Sequence, residues 1–351
     1  MSEYINKNVT TNEELLIYKK TFDENGSPKS IERLNWMHFQ NLLKEHLVSY
    51  AVAEKNKNVE KAAALYAVFP VICKYYSEQV KATQSIDTIT DINHRGKGLF
   101  INLAKDVYSM AFEKGYKFVY GFPNKNSAPG FFKKLGWKEI CEVPFLIKPL
   151  RSSYFFKSIF KRKLIDFGIS FPSNIKLKVG YSVREIKTFD SAFDYIWNQF
   201  SKNINISINR DSKYLNWRLV EKPDFTYFKK ALFFNENPVG FVIYSIEEKH
   251  NGKIAYLLDL IYLPEEEKHA NKLLKIALKE IREEKCDLIL AWCFKHSPNY
   301  NLIKGKGGFF TIPLKLRPIE LFFGANFFNE KNENNYKTEN WYISYLDSDT
   351  V

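Results

Sequence analysis

Four consecutive residues, Arg95-Gly96-Lys97-Gly98, have the side-chain types expected of a binding site for a phosphate-bearing ligand. Glycines leave backbone N–H groups accessible, and a helix that starts directly after them adds the positive end of its dipole. The basic side chains of Arg95 and Lys97 favour a diphosphate ligand. The chemistry indicated by this loop is therefore anion binding at the start of a helix.

Regular elements must hold the loop in place, and the apolar pattern around it predicts them. A strand precedes the loop and an amphipathic helix follows it. A buried strand, a short helix and a strand that contains Leu135-Gly136-Trp137 come next. The predicted strands span 84–90, 117–122 and 135–140, the long helix spans 99–113, and the short helix lies within 126–134.

This order of elements and the Arg-x-x-Gly loop resemble the GNAT superfamily of N-acetyltransferases over about residues 84–140. In that family the loop holds the pyrophosphate of acetyl-CoA, and the pantetheine arm lies between two strands that splay apart. A backbone N–H that binds the oxyanion would fall near Ile89 and Thr90. The cofactor contacts implied by the resemblance are Ile89, Thr90, Arg95, Gly96, Lys97, Gly98, Leu99, Phe100, Asn126 and Phe132.

Two of these positions depart from the family pattern, and a third has a structural alternative. Phe100 stands where the family pattern has a small residue, and we expect its ring to pack inward. Phe132 falls where the family often has the tyrosine that protonates the departing thiolate, so the proton must come from another side chain, water or the substrate ammonium. Asn126 would either bind the pantetheine or cap the short helix, and both alternatives stay open.

Two residues are candidates for accepting the proton of the attacking amine. Asp87 lies two residues before Ile89 and therefore on the same side of the strand. Its structural alternative is a buried acid that caps a turn or pairs with a lysine. His94 is the second candidate, because histidine is the residue type best suited to exchange a proton at neutral pH. The resemblance places His94 at a position that is commonly aromatic, which favours packing beside the cofactor instead.

Composition restricts the class of protein. The chain has 351 residues, of which 45% are hydrophobic, as expected for a packed globular protein. The N-terminus lacks a signal-peptide core, and no apolar run approaches the roughly 18 residues of a membrane span. The four cysteines and six histidines show no metal-ligand spacing. We therefore expect a cytoplasmic protein with reduced thiols and no bound metal.

The formal net charge of +12 suits a polyanionic ligand such as CoA or a nucleotide-sugar. No sequence pattern of a nucleic-acid-binding module accompanies the charge, so we expect no nucleic-acid partner. Residues 148–164 form a basic segment interleaved with aromatic side chains. This segment would either contact an anionic membrane surface or serve as a solvated linker helix.

The second half of the chain repeats the first in outline. The same offset of 172 residues separates Asp87 from Asp259 (259 − 87) and Gly136 from Gly308 (308 − 136). The same offset places Glu267-Lys268-His269-Ala270 at the glycine loop, where acidic side chains would repel a diphosphate. We therefore predict an α/β (α+β) fold of two tandem GNAT-like domains, each with a mixed, mostly antiparallel sheet, flanking helices and a splayed strand pair. The predicted parts are a catalytic domain (1–147), a basic linker (148–178) and a degenerate domain (179–351).

The resemblance implies a function: transfer of an acetyl group from acetyl-CoA to the amine of a small substrate. A tandem chain with these sequences at 87–90, 95–100 and 121–124 resembles bacterial surface-polysaccharide enzymes, which implies a nucleotide-linked amino sugar as the acceptor. One alternative is a transferase similar to the Fem aminoacyl-transferases, which use aminoacyl-tRNA. Another is a non-catalytic module that binds acyl-CoA. The sequence leaves the oligomeric state open.

Overall fold

A computed structural model describes residues 3–53, 61–151, 175–249, 251–312, 317 and 319–350. The chain divides into two compact units, and each is assembled from separate stretches. The first comprises Met1–Val143, Glu221–Asp224 and Ile319–Asn340, and the second Pro144–Val220, Phe225–Pro318 and Trp341–Val351. Most of the predicted linker, and with it the hypothesis of membrane contact through 148–164, lies outside the described residues.

The first unit is a sheet flanked by helices. Its strands pair in the order β1-β2-β3-β4-β5-β15-β6. All of these pairs are antiparallel except β4 with β5, which is parallel. The elements are β1 (Tyr4–Asn8), α1 (Asn12–Glu24), α2 (Ile31–His38), β2 (Leu47–Ala53), β3 (Ala64–Tyr75), β4 (Glu78–Thr90), α3 (Leu99–Glu113), β5 (Phe118–Gly121), α4 (Ala128–Lys134), β6 (Lys138–Glu142) and β15 (Phe322–Phe327).

Local sequence accounts for the helices of this unit. Thr11 and Glu14 form a capping box that starts α1. The apolar face of α3 buries Leu103, Val107 and other side chains against one face of the sheet. Side chains of α1 and α2 form a second apolar cluster with β2 and β3. The sheet is thus buried between two sets of helices.

Strand β4 continues beyond its pairing with β5, and the chain after β5 leaves β4 at that point. Their parallel pairing is confined to Ala82–Ser85 of β4 and Phe118–Gly121 of β5, whereas β4 continues along β3 to Thr90. At Ile86 a β-bulge places one extra residue in β4 opposite β3. Bulges bend and twist a strand, which aids the separation. The predicted splayed strand pair is therefore present.

The second unit has the same plan. Its strands pair in the order β14-β7-β13-β12-β11-β10-β8, and only β12 with β13 is parallel. A β-bulge at Leu258 is the counterpart of the bulge at Ile86, at the offset that the sequence repeat predicts. The elements are β7 (Phe145–Pro149), β8 (Tyr181–Glu185), α5 (Ser191–Phe200), β9 (Ile206–Ile208), α6 (Ser212–Leu219), β10 (Tyr227–Phe234), β11 (Asn237–Lys249), β12 (Gly252–Tyr262), α7 (Glu267–Glu283), β13 (Leu288–Trp292) and β14 (Phe310–Thr311).

Two strands pair within a unit that is formed mainly by a distant part of the sequence. β7 precedes the predicted linker but pairs with β13 and β14 of the second unit. β15 lies late in the chain but pairs with β5 and β6 of the first unit. The compact units therefore differ from consecutive domains divided at residues 147 and 179.

The C-terminal region around residues 341–346 contains a bridge and a turn of 3-10 helix rather than a regular strand. Trp341 makes a single bridge to Ile206, and Tyr345–Asp347 forms a turn of 3-10 helix started by Ser344. Serine at this position caps the turn, which ends the extended backbone. Within the described ranges, no helix has the length and apolar character needed to cross a bilayer.

Candidate functional site

The loop between β4 and α3 leaves its backbone donors accessible. Gly96 and Gly98 have φ of +80° and +74°, a left-handed conformation that glycine adopts without strain. Gly98 is the N-cap of α3, and no side chain of the described chain caps this helix. The first N–H groups of a helix have no intrahelical partner. The start of α3 can therefore bind an anion.

A cavity of about 290 Å³ adjoins this loop. Its walls are formed by Thr90, His94, the loop itself, the start of α3 and the residues Pro129, Gly130, Lys133 and Lys134 around α4. Arg95 Nε donates to the carbonyl oxygen of Thr90 at 3.3 Å, and Lys97 pairs with Glu3 at 2.9 Å. Side-chain hydrogen bonding to Glu3 raises the pKa of Lys97. The basic side chains at this cavity give it a positive potential.

A second cavity, of about 190 Å³, occupies the gap between the splayed strands. Ser85, Ile86 and Thr88 line it from β4. Phe122, Pro123, Asn124, Ser127 and Phe131 line it from the β5 side. The gap and the loop cavity both adjoin β4, which reaches from Ser85 in one to Thr90 in the other. An elongated ligand with an anionic end could therefore occupy both.

Phe100 packs inward, as the sequence predicts. Its ring lies 5.1 Å from that of Phe131 and 5.9 Å from that of Tyr66. A Cβ added to Gly130 would stand only 2.5 Å from Phe100 Cε1. The absence of a side chain at Gly130 therefore makes room for the large residue at position 100.

Asp87 is buried and bound on two sides. Lys29 Nζ lies 3.0 Å from Oδ1, and the hydroxyl of Tyr18 donates to Oδ2 at 2.5 Å. Asp87 does not line either cavity. These contacts match the structural alternative of a buried acid paired with a lysine.

His38 is packed near this ion pair and lies fully buried at the end of α2. Neither of its ring nitrogens has a hydrogen-bond partner in the described part of the chain. Burial lowers the pKa of His38 to about 4, although the charge of Asp87 opposes the shift. At neutral pH the imidazole is therefore uncharged.

His94 lines the loop cavity from the 3-10 turn Ile92–His94. Its Nδ1 shares a hydrogen bond of 2.8 Å with the hydroxyl of Tyr4, and the two rings meet edge to face. Asp91 caps the turn by accepting a hydrogen bond from the backbone N–H of Asn93. Of the two base candidates, His94 is the one that faces a cavity.

Asn126 and Phe132 lie away from both cavities. Asn126 is exposed, and Asn124 rather than Asn126 accepts hydrogen bonds from the backbone before α4. Phe132 packs over β15, where a Cβ on Gly324 would stand 2.6 Å from its ring. Phe131, its neighbour, lines the gap instead. The shift by one residue follows from helix geometry, which turns adjacent side chains by about 100°.

Other residues near the site carry no motif among those that the sequence predicts to bind a ligand. Lys29 and Tyr18 bind Asp87 from a distant stretch of the chain, without a local signal in the sequence. Ser85 and Asn124 line the gap. The asparagine could have been found, because Asn followed by a turn and a helix is a common capping pattern.

In the second unit, side chains of the chain itself lie at the start of α7 and where β12 and β13 separate. Glu266, at the start of α7, accepts hydrogen bonds from the hydroxyl of Tyr181 at 3.0 Å and shares one of 2.8 Å with His269 Nδ1. Where β12 and β13 separate, Asn299 Nδ2 donates to the carbonyl oxygen of Leu260 at 3.0 Å. The start of α7 thus carries a carboxylate, whereas the start of α3 carries a glycine.

Asp259, the counterpart of Asp87, is also in a buried ion pair. Arg210 Nε lies 2.8 Å from Asp259, and its Nη2 lies 2.7 Å from Asp347. Burial acts to lower the pKa of Arg210, but the two carboxylates raise it above its usual range. Both units therefore hold the strand aspartate with a basic side chain.

Comparisons with known proteins agree with this geometry. Residues 11–140 match the family model of the acetyltransferase (GNAT) domain. None of the curated proteins matches the sequence. Solved structures with low sequence identity to this chain share its fold over most of its length.

Three of these structures illustrate the likeness. Saccharomyces cerevisiae N-myristoyltransferase with bound myristoyl-CoA has a TM-score of 0.63 and 12% identity, covering 93% of this chain and 83% of that chain. A GCN5-related N-acetyltransferase from Anabaena variabilis has a TM-score of 0.60 and 13% identity, covering 92% and 72%. An Enterococcus faecalis protein of unknown function, described as a probable N-acyltransferase, has a TM-score of 0.63 and 13% identity, with the same coverage.

The coverage extends over both units and confirms the predicted fold class. Residues 11–140, which lie in the first unit, are therefore similar to an acetyltransferase (GNAT) domain.

Proposed function

We propose that the first unit binds acetyl-CoA and transfers its acetyl group to the amine of a nucleotide-linked amino sugar used for a surface polysaccharide. The observation that carries the proposal is the contrast between the two helix starts. Gly98 leaves the start of α3 accessible beside Arg95 and Lys97 in the first unit, whereas the start of α7 in the second unit carries the carboxylates of Glu266 and Glu267. One cofactor per chain is expected.

The diphosphate of acetyl-CoA would bind the N–H groups of the loop and of the first turn of α3, with Arg95 and Lys97 adding charge. The pantetheine arm would pass Ile89 and Thr90 and enter the gap between β4 and β5. The cavity at the loop and the cavity in the gap support this path. No metal is needed for the direct attack of an amine on a thioester.

The reaction requires a neutral amine, a donor to the oxyanion and protonation of the thiolate. We propose Asp87 and His94 as alternatives for the group that takes the amine proton, directly or through water. His94 has the better access, because it faces the loop cavity. Asp87 is the more constrained, because Lys29 and Tyr18 already bind its two oxygens.

The acceptor is proposed from the resemblance to surface-polysaccharide enzymes and from the positive charge, which suits a nucleoside diphosphate. Such substrates are made in the cytoplasm, and we propose that location for this enzyme. A polyanionic small molecule accounts for the charge without a nucleic-acid partner.

Calorimetric titration with acetyl-CoA, followed by a thiol-release assay with a panel of nucleoside-diphosphate amino sugars, tests the proposal. We expect one acetyl-CoA site per chain and CoA release that depends on the amino sugar. Binding without release to any amine would instead support a non-catalytic acyl-CoA module. An absence of acetyl-CoA binding, together with salt-sensitive binding of aminoacyl-tRNA, would overturn the proposal.

A further inference from the structure

A chain of buried hydrogen bonds leads to the closed end of the gap. Trp137 Nε1 donates to the hydroxyl of Tyr108 at 2.9 Å, and that hydroxyl lies 2.9 Å from the hydroxyl of Tyr66. The Tyr66 hydroxyl donates to Ser85 Oγ at 2.9 Å. Ser85 is the last β4 residue that pairs with β5, so it lies where the strands part.

The donors of the two outer hydrogen bonds, Trp137 to Tyr108 and Tyr66 to Ser85, fix the direction of the hydrogen bond between the two tyrosines. An indole N–H can only donate, and each hydroxyl has one hydrogen to give. Tyr66 gives its hydrogen to Ser85, so the hydrogen between the two tyrosines must come from Tyr108. Tyr108 in turn accepts from Trp137. All donors therefore point toward Ser85.

The Ser85 hydroxyl is the end of this chain. Since it accepts from Tyr66, its own hydrogen must be directed elsewhere, and the described residues offer it no acceptor. Ser85 lines the gap, so the hydrogen is available to a ligand there. Burial raises the pKa of both Tyr66 and Tyr108, which keeps their hydrogens in place at neutral pH.

We propose that Ser85 is a substrate-binding residue of the acyl transfer, whose hydroxyl donates a hydrogen bond of fixed direction to an oxygen atom at the closed end of the gap. This inference rests on the proposed function, because acyl-CoA and the acceptor amine are the molecules that would enter the gap. The oxygen belongs either to the thioester carbonyl or to a group beside the amine of the acceptor. An oxygen satisfies the donor, whereas sulfur is a weak acceptor and the amine lone pair is needed for attack.

A donor held in place before the substrate arrives needs no reorganisation during the reaction, and such donors contribute strongly to catalysis. A ligand without an acceptor atom would leave the hydroxyl buried and unsatisfied, which disfavours its binding. The series of hydrogen bonds from Trp137 to Ser85 therefore raises the rate of acyl transfer and favours ligands that carry an acceptor oxygen.

The test uses the full-length protein and four variants. Ser85→Ala removes the donor, and Ser85→Thr restores a hydroxyl. Tyr66→Phe keeps the Ser85 hydroxyl but removes the bond that orients it. Thr83→Val is the matched control, because this residue precedes Ser85 by two positions on the same face of β4 and its buried hydroxyl has no partner in the described structure.

The first measurement is the infrared carbonyl frequency of bound [1-¹³C]acetyl-CoA. A higher frequency in Ser85→Ala than in the wild type, with the wild-type value in Ser85→Thr and Thr83→Val, would place the bond on the thioester. Turnover in Ser85→Ala would then fall about 100-fold. Tyr66→Phe should cause a smaller change in the same direction.

The second measurement is kcat/KM for the nucleoside-diphosphate amino sugar that reacts fastest with the wild type, or the rate of acetyl-CoA hydrolysis if none reacts. An unchanged carbonyl frequency with a loss of about 10- to 100-fold in Ser85→Ala, and rescue by Ser85→Thr, would place the bond on the acceptor. Unchanged frequency and unchanged rate in Ser85→Ala would overturn the inference while leaving the proposed function intact. Failure of the wild type to bind acetyl-CoA would refute the proposed function itself.

Discussion

Replacement of a glycine by glutamate at each end of α3 tests the anion site. Gly98 and Gly115 have φ of +74° and +79°, and among the described residues no atom lies within 4 Å of a Cβ added at either position. The two substitutions therefore introduce the same charge and the same backbone strain on one helix. They differ in which end of the helix dipole receives the carboxylate.

The expected stabilities follow from these two effects. A non-glycine residue in the left-handed region costs about 1–2 kcal/mol. A carboxylate stabilises the start of a helix and destabilises its end by about 0.3–1 kcal/mol. The free energy of unfolding should thus fall by about 1 kcal/mol in Gly98→Glu and by about 2 kcal/mol in Gly115→Glu.

The loss of affinity for the cofactor should be larger in Gly98→Glu, which is the variant with the smaller loss of stability. A carboxylate about 4 Å from one phosphate charge, at an effective dielectric constant near 20, repels it by about 4 kcal/mol. The Kd for acetyl-CoA should then rise about 1000-fold in Gly98→Glu and stay near the wild-type value in Gly115→Glu.

Calorimetric titration with acetyl-CoA gives the two Kd values, and urea unfolding followed by circular dichroism gives the stabilities. The reasoning fails if folded Gly98→Glu binds acetyl-CoA within threefold of the wild type. Equal losses of affinity in both variants would also refute it, because the loss would then reflect damage to α3 rather than charge at its start.

Three further predictions concern buried ionisable groups. Asp87→Asn should lower kcat with little change in the Kd for acetyl-CoA. Lys29→Met removes the same ion pair but keeps the Asp87 side chain, so it should lower the free energy of unfolding by about 3–5 kcal/mol and, while the protein is folded, retain turnover in the thiol-release assay. Since the pKa of His38 is lowered to about 4 when folded, the unfolded chain binds the extra proton first as the pH falls below about 6.5. The free energy of unfolding should therefore fall between pH 6.5 and 4, by up to about 1.4 kcal/mol per pH unit, and urea titrations of His38→Leu should lack this contribution. Arg210→Met leaves two buried carboxylates without their partner and should lower the free energy of unfolding by about 3–5 kcal/mol, with calorimetric acetyl-CoA affinity unchanged while the protein is folded.

Each of these predictions has a result that would contradict it. Equal loss of turnover in Asp87→Asn and Lys29→Met would leave Asp87 as a structural acid. A His38→Leu variant with the wild-type dependence on pH would show that other groups cause it. Loss of acetyl-CoA binding by folded Arg210→Met would mean that the second unit contributes to the cofactor site.

The local elements around the site follow from nearby residues in the sequence. The pattern of apolar residues predicted the long helix over 99–113, and the structure has α3 at Leu99–Glu113. The two glycines of the loop adopt the left-handed conformation that favours this residue type. These features depend on neighbours in the sequence, so local propensity and spacing were sufficient. The offset between the two halves is also present in the structure, because it separates the bulge at Ile86 from the bulge at Leu258.

Tertiary structure decided which distant residues meet. β7 and β15 each pair in a sheet formed mainly by a remote part of the chain, because strand pairing depends on complementary edges rather than on sequence distance. Lys29 beside Asp87, and Tyr66 beside Ser85, are contacts of the same kind. A side chain's partners are set by packing across the sheet, and no local pattern encodes them. The sequence therefore predicts where a diphosphate would bind, and the folded chain adds which side chains line the gap between β4 and β5.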